Sequence, residues 1–233
     1  MTGFDRFVIA YLPYITLLIF LGAMIYRLRA WSRLSQPSMT LFPQPRGGSK
    51  KGIVAEIFLF PKLFLSDKYL WSLAWIFHLS LALIVLGHLR VIFDFAFLWR
   101  ALGMTPADVD SMSATLGGVA GIVIFVAVVA ILSRRVFLQR VREISTAGDW
   151  MALLLLAAIL ATGNAMRFGE HFDLNQTRVW FMGLITFSEV AAPANTAFIW
   201  HAFFGQLLII YIPFSKILHF GGIFFSQTAL HRS

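Results

Sequence analysis

The sequence predicts an all-α integral membrane protein, a bundle of five transmembrane helices. Of its 233 residues, 59% are hydrophobic and only 13% are charged, whereas soluble domains carry about 25% charged residues. The mean hydropathy is +0.78. Five runs are nearly free of charge and are close to the roughly 20 residues that a helix needs to cross a bilayer. We therefore expect residues 1–233 to form a single membrane domain.

The five predicted spans follow one another with basic or polar connections between them. They cover about residues 7–26, 69–89, 112–132, 150–166 and 196–220. The first is too long for the core of a signal peptide, and no small-residue cleavage site follows it. The third contains Gly117, Gly118 and Gly121, small residues that allow close packing of membrane helices. The fifth is expected to continue past Lys216 to about Phe225, with a kink at Pro213.

Two further segments are apolar but too broken to span. Ile53–Leu65 contains Glu56, Pro61 and Lys62 and is typical of an interfacial helix. Val179–Asn195 is expected to lie along the membrane surface or to dip into it. Residues 27–68 form the longest connection, and its Pro-, Gly- and Ser-rich part at 37–50 is a candidate docking loop for a soluble partner.

The distribution of Lys and Arg predicts the orientation of the bundle. Fourteen of these residues fall in the 27–68 connection, the loop around 134–142 and the C-terminal tail, and five fall on the opposite side. Basic residues accumulate on the cytoplasmic side of membrane proteins. We therefore expect the N-terminus outside and the C-terminus in the cytoplasm; the family resemblance described below implies that the location is a prokaryotic cytoplasmic (inner) membrane.

Composition also excludes several kinds of function. The chain has no cysteine, so its own thiolates cannot hold an iron–sulfur cluster. The net charge of +8 does not indicate nucleic-acid binding, because the basic residues cluster beside the apolar runs as membrane topology requires. No phosphate-binding glycine loop, hydrolytic triad or zinc motif is present.

Four of the six histidines lie in predicted spans, where an ionisable side chain indicates function. His88 lies roughly 15 Å beyond His78 along the second span, and His219 lies roughly 27 Å beyond His201 along the antiparallel fifth span, as straight helices. Matching by depth predicts the pairs His88 with His201 and His78 with His219. The two separations differ by about 12 Å, which tilt and the Pro213 kink would have to absorb.

Two facing imidazoles can fill both axial positions of a haem iron, which favours electron transfer over gas binding. The pattern thus predicts four axial ligands to two haem irons. The alternative is that the four histidines are unrelated polar residues that form hydrogen bonds between helices.

Other polar residues near the outer ends of the spans are weaker candidates. Arg90 and Arg167 are candidate partners of haem propionates, or else anchors at the lipid headgroups. Glu170, His171 and Asp173 form a polar cluster in the outer loop that is a candidate for taking protons from a quinol, or else is simply solvated.

The sequence around these residues resembles the gamma subunit of respiratory nitrate reductase. The resemblance rests on two motifs, His78-x9-His88 on the second span and His201-x17-His219 on the fifth. Segments such as FHLSLALIVLGHLR (77–90), ATGNAMRF (161–168) and YIPFSKILHFGGIFFS (211–226) resemble one branch more closely, the DsrM subunit of the DsrMKJOP complex of dissimilatory sulfur metabolism. The resemblance implies two b haems on these four histidines, one near each membrane face.

The resemblance also implies partners and a redox role. It implies menaquinone or another quinone, a cytoplasmic iron–sulfur subunit similar to heterodisulfide reductase, a periplasmic multihaem cytochrome c and iron–sulfur subunit, and a second membrane subunit. The chain is then an electron-transfer subunit that is catalytic only with its partners. The alternatives are a gamma subunit of nitrate reductase or another quinol-linked oxidoreductase and, from another class, a haem-free membrane anchor or transporter.

Overall fold

A computed structural model describes residues 2–33, 50–169, 173–188 and 191–219, and these residues form helices and connections without a strand. Five helices are long and apolar enough to cross a membrane. Large apolar side chains are exposed on all five, as expected for a surface that faces lipid rather than water. The prediction of an all-α, multi-pass membrane protein is therefore confirmed.

The first four spanning helices extend beyond the apolar runs that predicted them, and the fifth is shorter than its run. The spanning helices are α1 (Gly3–Ser32), α4 (Lys68–Ile92), α6 (Pro106–Phe137), α8 (Ala147–Phe168) and α10 (Thr196–Tyr211). The shorter helices are α2 (Lys50–Leu59), α3 (Pro61–Ser66), α5 (Ala96–Ala101), α7 (Gln139–Glu143) and α9 (Leu174–Thr186). The predicted interfacial segment thus corresponds to α2 and α3, and part of Val179–Asn195 lies in α9.

Polar caps decide where the spanning helices begin. Thr105 accepts a hydrogen bond from the Asp108 backbone N–H at 3.2 Å, and the Asp108 carboxylate accepts one from the Thr105 N–H at 2.9 Å. The same Thr-x-x-Asp capping box begins α1 at Thr2 and α8 at Thr146. These caps satisfy backbone N–H groups that the first turn of a helix leaves unpaired. The hydropathy pattern misses them because capping residues are polar.

Close packing of α6 on α8 depends on the three glycines singled out in the sequence. Asn164 of α8 donates to the Gly121 carbonyl at 3.1 Å, and a Cβ at position 121 would lie only 2.5 Å from the Asn164 Oδ1. Arg167 and Phe168 lie against the glycines at 117 and 118 in the same way. The predicted role of these glycines in helix packing is confirmed.

The spanning helices pack in the order α4, α6, α8, α10 and α1, and α9 packs against α4. The backbones of α4 and α10 are not packed together along their lengths. The histidine-bearing helices α4 and α10 are therefore held apart by the arrangement of the other helices.

Two backbone carbonyls inside α1, those of Val8 and Ile9, lie just before Pro13. Proline has no N–H, so one helical donor is missing here, and the change from π-helical to α-helical bonding at this point leaves a second carbonyl without a donor. A π-helical segment at Phe7–Tyr11 occupies this part of α1. Trp180 of α9 donates its indole N–H to the Ile9 carbonyl at 3.2 Å, and Gln206 of α10 donates its side-chain amide to the Val8 carbonyl at 3.0 Å. Both freed acceptors are thereby satisfied, as lipid requires.

Pro213 ends the fifth helix instead of kinking it. The α-helix stops at Tyr211, and two 3₁₀ turns follow at Ile212–Phe214 and Lys216–Leu218. Arg27 of α1 donates to the Pro213 carbonyl at 3.0 Å and holds this break against the first helix. The expectation of a helix that is kinked at Pro213 but continues past Lys216 is therefore wrong, because the proline cannot continue the hydrogen-bond ladder. Residues beyond 219, including Phe225, lie outside the described residues.

We expect the substitution Gln206→Leu to lower the free energy of unfolding by about 1 kcal/mol, since side-chain hydrogen bonds between membrane helices contribute about 0.6 and at most about 1.7 kcal/mol. In a Pro13→Ala background the restored N–H competes for the same carbonyls, so the loss should be smaller. Thermal unfolding of the four proteins of this double-mutant cycle in detergent measures the difference. An equal loss in both backgrounds would contradict the link between Pro13 and Gln206.

Candidate functional site

Two pairs of imidazoles meet across the space between α4 and the chain segment that begins with α10. The ring centroids of His88 and His201 lie 6.1 Å apart, with the ring planes inclined by 21°. Those of His78 and His219 lie 6.0 Å apart, with the planes inclined by 88°. The structure thus brings together the residues that depth matching paired. The break after Tyr211 removes the length mismatch, because the chain from His201 to His219 is not one straight helix.

Each of the four imidazoles uses its Nδ1 atom on a backbone carbonyl. The acceptors are Ala74 for His78 (2.7 Å), Ile84 for His88 (2.7 Å), Ile159 for His201 (3.0 Å) and Lys216 for His219 (3.1 Å). A carbonyl can only accept, so Nδ1 carries the proton and Nε2 keeps its lone pair in the neutral ring. Histidines that bind metals have this arrangement, in which a bond from the other nitrogen fixes the ring.

The spacing of the pairs fits one metal atom between the two rings of each. Metal bonds of about 2 Å place two opposed imidazole nitrogens about 4 Å apart, and their ring centroids about 6 Å apart. Among the described residues no group of three or more His, Cys, Asp or Glu side chains is close enough to hold a bare metal ion. Two protein ligands are what a haem iron takes when the porphyrin supplies the rest, so the donor set fits haem.

A cavity of about 310 Å³ opens beside the His78–His219 pair. Its wall is mostly apolar and consists of Phe60, Pro61, Lys62, Leu63 and Ala74 with the two histidines. The Phe60 ring lies 5.2 Å from that of His78. The backbone of Phe60 is left-handed, with a φ of +47°, and it separates helix α2 from helix α3. Phe60 is not among the site residues predicted from the sequence. Pro61 was the available signal, because a residue before proline is disfavoured in the helical region.

A cluster of charges lies at the end of α4 that carries His88. Arg90 is 8% exposed and donates to Asp94 at 3.4 Å and to Asp110 of α6 at 3.0 Å. Arg178 of α9 donates to the Arg90 carbonyl at 2.8 Å and forms an ion pair with Asp94 at 3.3 Å. Arg90 lies about 200° around the helix from His88. Its guanidinium therefore ties the end of α4 to α6, whereas α9 is joined through Arg178 to the Arg90 carbonyl and to Asp94. The binding of a propionate by Arg90 stays a prediction.

Of the other predicted site residues, Arg167 and Asp173 lie within the described part of the chain. Arg167 is exposed and donates to the Ser113 carbonyl of α6 at 3.2 Å. Asp173 accepts from the backbone N–H groups of Asn175 and Gln176 at 2.8 and 3.2 Å and so caps α9. Glu170 and His171 lie outside the described residues, as do His231 and the 37–49 part of the candidate docking loop. The quinone role of the Glu170, His171 and Asp173 cluster therefore stays a prediction.

Comparison with known proteins decides the family. A model of the nitrate reductase gamma subunit family matches residues 62–230. This chain belongs to that family. The nitrate reductase gamma match contains all four histidines of the two pairs and begins after α1.

Relatives of this gamma-family chain include subunits of more than one kind of oxidoreductase. It is 30% identical to the Hdr-like menaquinol oxidoreductase cytochrome b-like subunit of Archaeoglobus fulgidus, over 93% of this chain and 76% of that protein. It is 27% identical to the nitrate reductase gamma chain of Bacillus subtilis, over 89% of this chain and 87% of that one. It is 29% identical to one of the subunits of the dihydromethanophenazine:CoB–CoM heterodisulfide reductase of Methanosarcina barkeri, over 51% of this chain and 42% of that protein.

We expect Arg90→Met to lower the free energy of unfolding by about 1–3 kcal/mol, because it removes the partly buried charged hydrogen bonds to Asp94 and Asp110 that join the end of α4 to α6. The matched substitution Arg167→Met removes an exposed side chain and should change it by no more than about 0.5 kcal/mol. Denaturant or thermal unfolding in detergent gives both values. Equal effects of the two substitutions would show that the Arg90 ion pairs do not stabilise the bundle.

Proposed function

We propose that this chain is a di-haem b membrane subunit that exchanges electrons between the quinone pool and a cytoplasmic iron–sulfur partner. The observation that carries the proposal is the geometry of the four imidazoles, two pairs at 6.0 and 6.1 Å with every Nδ1 bound to a carbonyl. Histidines that only form unrelated hydrogen bonds between helices are not expected to share one ring-to-ring distance within each pair and an Nδ1–H bond to a backbone carbonyl.

The chain contributes the ligands and their orientation. Each pair of imidazoles would hold a haem b, which would supply a one-electron carrier there. The carbonyl bonds keep Nε2 unprotonated and hold each ring in place. His78 and His88 are ten residues apart on α4, so the two pairs are separated by roughly 15 Å along the helix. Large apolar side chains cover the exposed faces of the surrounding helices.

Orientation in the membrane assigns different partners to the two pairs. With the Lys- and Arg-rich connections in the cytoplasm, the N-terminus is outside, the His88–His201 pair is near the outer face and the His78–His219 pair is near the inner face. We propose that menaquinone or another quinone binds at the outer end, with Glu170, His171 and Asp173 as candidate proton acceptors. The inner end faces the iron–sulfur partner.

We further propose that the complex is DsrM-like and belongs to dissimilatory sulfur metabolism. Support comes from the sequence segments that resemble DsrM and from relatives named as a menaquinol oxidoreductase subunit and a heterodisulfide reductase subunit. The expected partners are a heterodisulfide-reductase-like iron–sulfur protein, a periplasmic multihaem cytochrome c, a periplasmic iron–sulfur protein and a second membrane subunit. The second candidate is a nitrate reductase gamma subunit, favoured by the match to the Bacillus subtilis chain.

We expect His88→Ala and His201→Ala each to halve the haem content, to about one haem per chain, by removing the outer haem, since each leaves one axial ligand. His78→Ala and His219→Ala should remove the inner haem instead. Dithionite-reduced spectra with haem quantification measure the content, and ferric electron paramagnetic resonance identifies which haem is lost.

The control for these variants is His171→Ala, which should retain both haems even if quinol turnover slows. Removal of the same haem by His88→Ala and His78→Ala would contradict the pairing. A correctly assembled wild-type protein without a b-type spectrum would support the haem-free anchor instead.

Co-purification separates the two redox candidates. When the complex is isolated in mild detergent from its native membranes, we expect a Cys-rich iron–sulfur protein to accompany the chain. Mass spectrometry identifies the protein, and metal analysis counts iron and molybdenum. A molybdenum enzyme in stoichiometric amount would favour the nitrate reductase assignment over the DsrM-like one.

A further inference from the structure

His201 differs from the other three paired histidines in how its ring is held. The rings of His78, His88 and His219 bond to carbonyls three or four residues earlier in their own segments. His201 of α10 bonds instead to the carbonyl of Ile159, which belongs to α8. The orientation of this ring is therefore set by a helix that contributes no histidine to either pair.

Thr162 adds a second contact from the same helix. Its hydroxyl donates to the carbonyls of Ala158 and Ile159 at 2.8 and 3.0 Å, and its oxygen lies 3.3 Å from the Nδ1 of His201. Since the hydroxyl proton is directed at the backbone, the oxygen is available as an acceptor for the imidazole N–H. The Nδ1 proton is thus shared between two oxygens of α8.

Gly163 makes this approach possible. A Cβ at position 163 would lie 3.1 Å from the Cε1 and 3.3 Å from the Nδ1 of His201, closer than ordinary van der Waals contact. Any other residue would force the ring to shift by a few tenths of an ångström. Glycine is less favourable than alanine inside a helix, so the space for the imidazole gives a physical reason for glycine here.

We propose that Thr162 and Gly163 of α8 are positioning residues for His201, which fix the rotation of its imidazole and thereby the ligand geometry of the outer haem. The proposal rests on the proposed function for its haem part only. The near-parallel ring planes of this pair, inclined by 21°, are the property that α8 maintains. Helix α8, the fourth span, thus contributes to the outer site together with α4 and α10, which carry its two histidines.

The test compares Gly163→Ala, Thr162→Val and Thr162→Ser with two glycine controls. Gly148→Ala changes the same pair of helices, because a Cβ there would lie 2.9 Å from the Tyr211 hydroxyl, but it touches no imidazole. Gly22→Ala adds a methyl group to α1 where nothing lies within 4 Å. Alanine favours the helical conformation at both positions, so the two controls test whether any disturbance of packing suffices.

The first readout needs no haem. In haem-free protein labelled with ¹⁵N-histidine, the imidazole signals of His201 are assigned by their loss in His201→Ala. We expect Gly163→Ala and Thr162→Val to shift these signals and to leave those of His78 unchanged. Thr162→Ser keeps the hydroxyl and should stay near the wild-type position, as should both glycine controls.

The second readout uses the haem-loaded protein. Ring planes that are nearly parallel in one pair and nearly perpendicular in the other should give two distinct low-spin ferric resonance signals. Gly163→Ala should shift the outer signal or reduce its occupancy, with the inner signal unchanged. The midpoint potential of the outer haem should move with it.

The outcomes separate the two claims. Shifted His201 signals in a protein that never binds haem would support the positioning role and overturn the proposed function. Unchanged His201 signals in Gly163→Ala, or an equal shift in Gly148→Ala, would overturn the positioning role, whether or not both haems are present.

Discussion

In hydrocarbon, a backbone N–H or C=O without a partner inside the protein costs several kcal/mol, because there is no water to replace it. This constraint underlies the helices, their caps and the histidine site. Capping boxes at Thr2, Thr105 and Thr146 satisfy the first turns of α1, α6 and α8. The imidazoles also use backbone carbonyls as acceptors, so the same requirement that builds the bundle fixes the protonated nitrogen of each histidine.

The two prolines inside spanning segments show how the chain uses exceptions to this rule. Pro13 and the π-helical segment before it leave two carbonyls that Trp180 and Gln206 then satisfy, which connects α1 to α9 and α10. Pro213 ends α10, and the following 3₁₀ turns bring His219 to the level of His78. A straight fifth helix would have left the second pair too far apart. The break is thus the feature that makes two histidines of one segment match two on α4.

The histidine-free helix α8 supports both histidines of the C-terminal segment. Near one end, Ile159 and Thr162 hold the ring of His201. Near the other, Gly148 accepts from the Tyr211 hydroxyl at 2.8 Å and Asp149 forms an ion pair with Lys216 at 3.0 Å, three residues before His219. Glycines of α6 let α8 approach closely enough to keep this position. The gap between α4 and α10 is therefore maintained by helices that supply none of the paired imidazoles.

Hydropathy and residue spacing by themselves determined five spans, the helix-packing role of Gly117, Gly118 and Gly121, and the pairing of His88 with His201 and His78 with His219 by depth. These properties follow from one-dimensional periodicity and from the thickness of a bilayer, which a sequence records directly. Three features depended on the tertiary structure: the end of α10 at Tyr211, the contact of Phe60 with His78, and the hold of Thr162 and Gly163 on His201. Each depends on which atoms of distant segments come within hydrogen-bonding or van der Waals distance, and local sequence patterns carry no record of that.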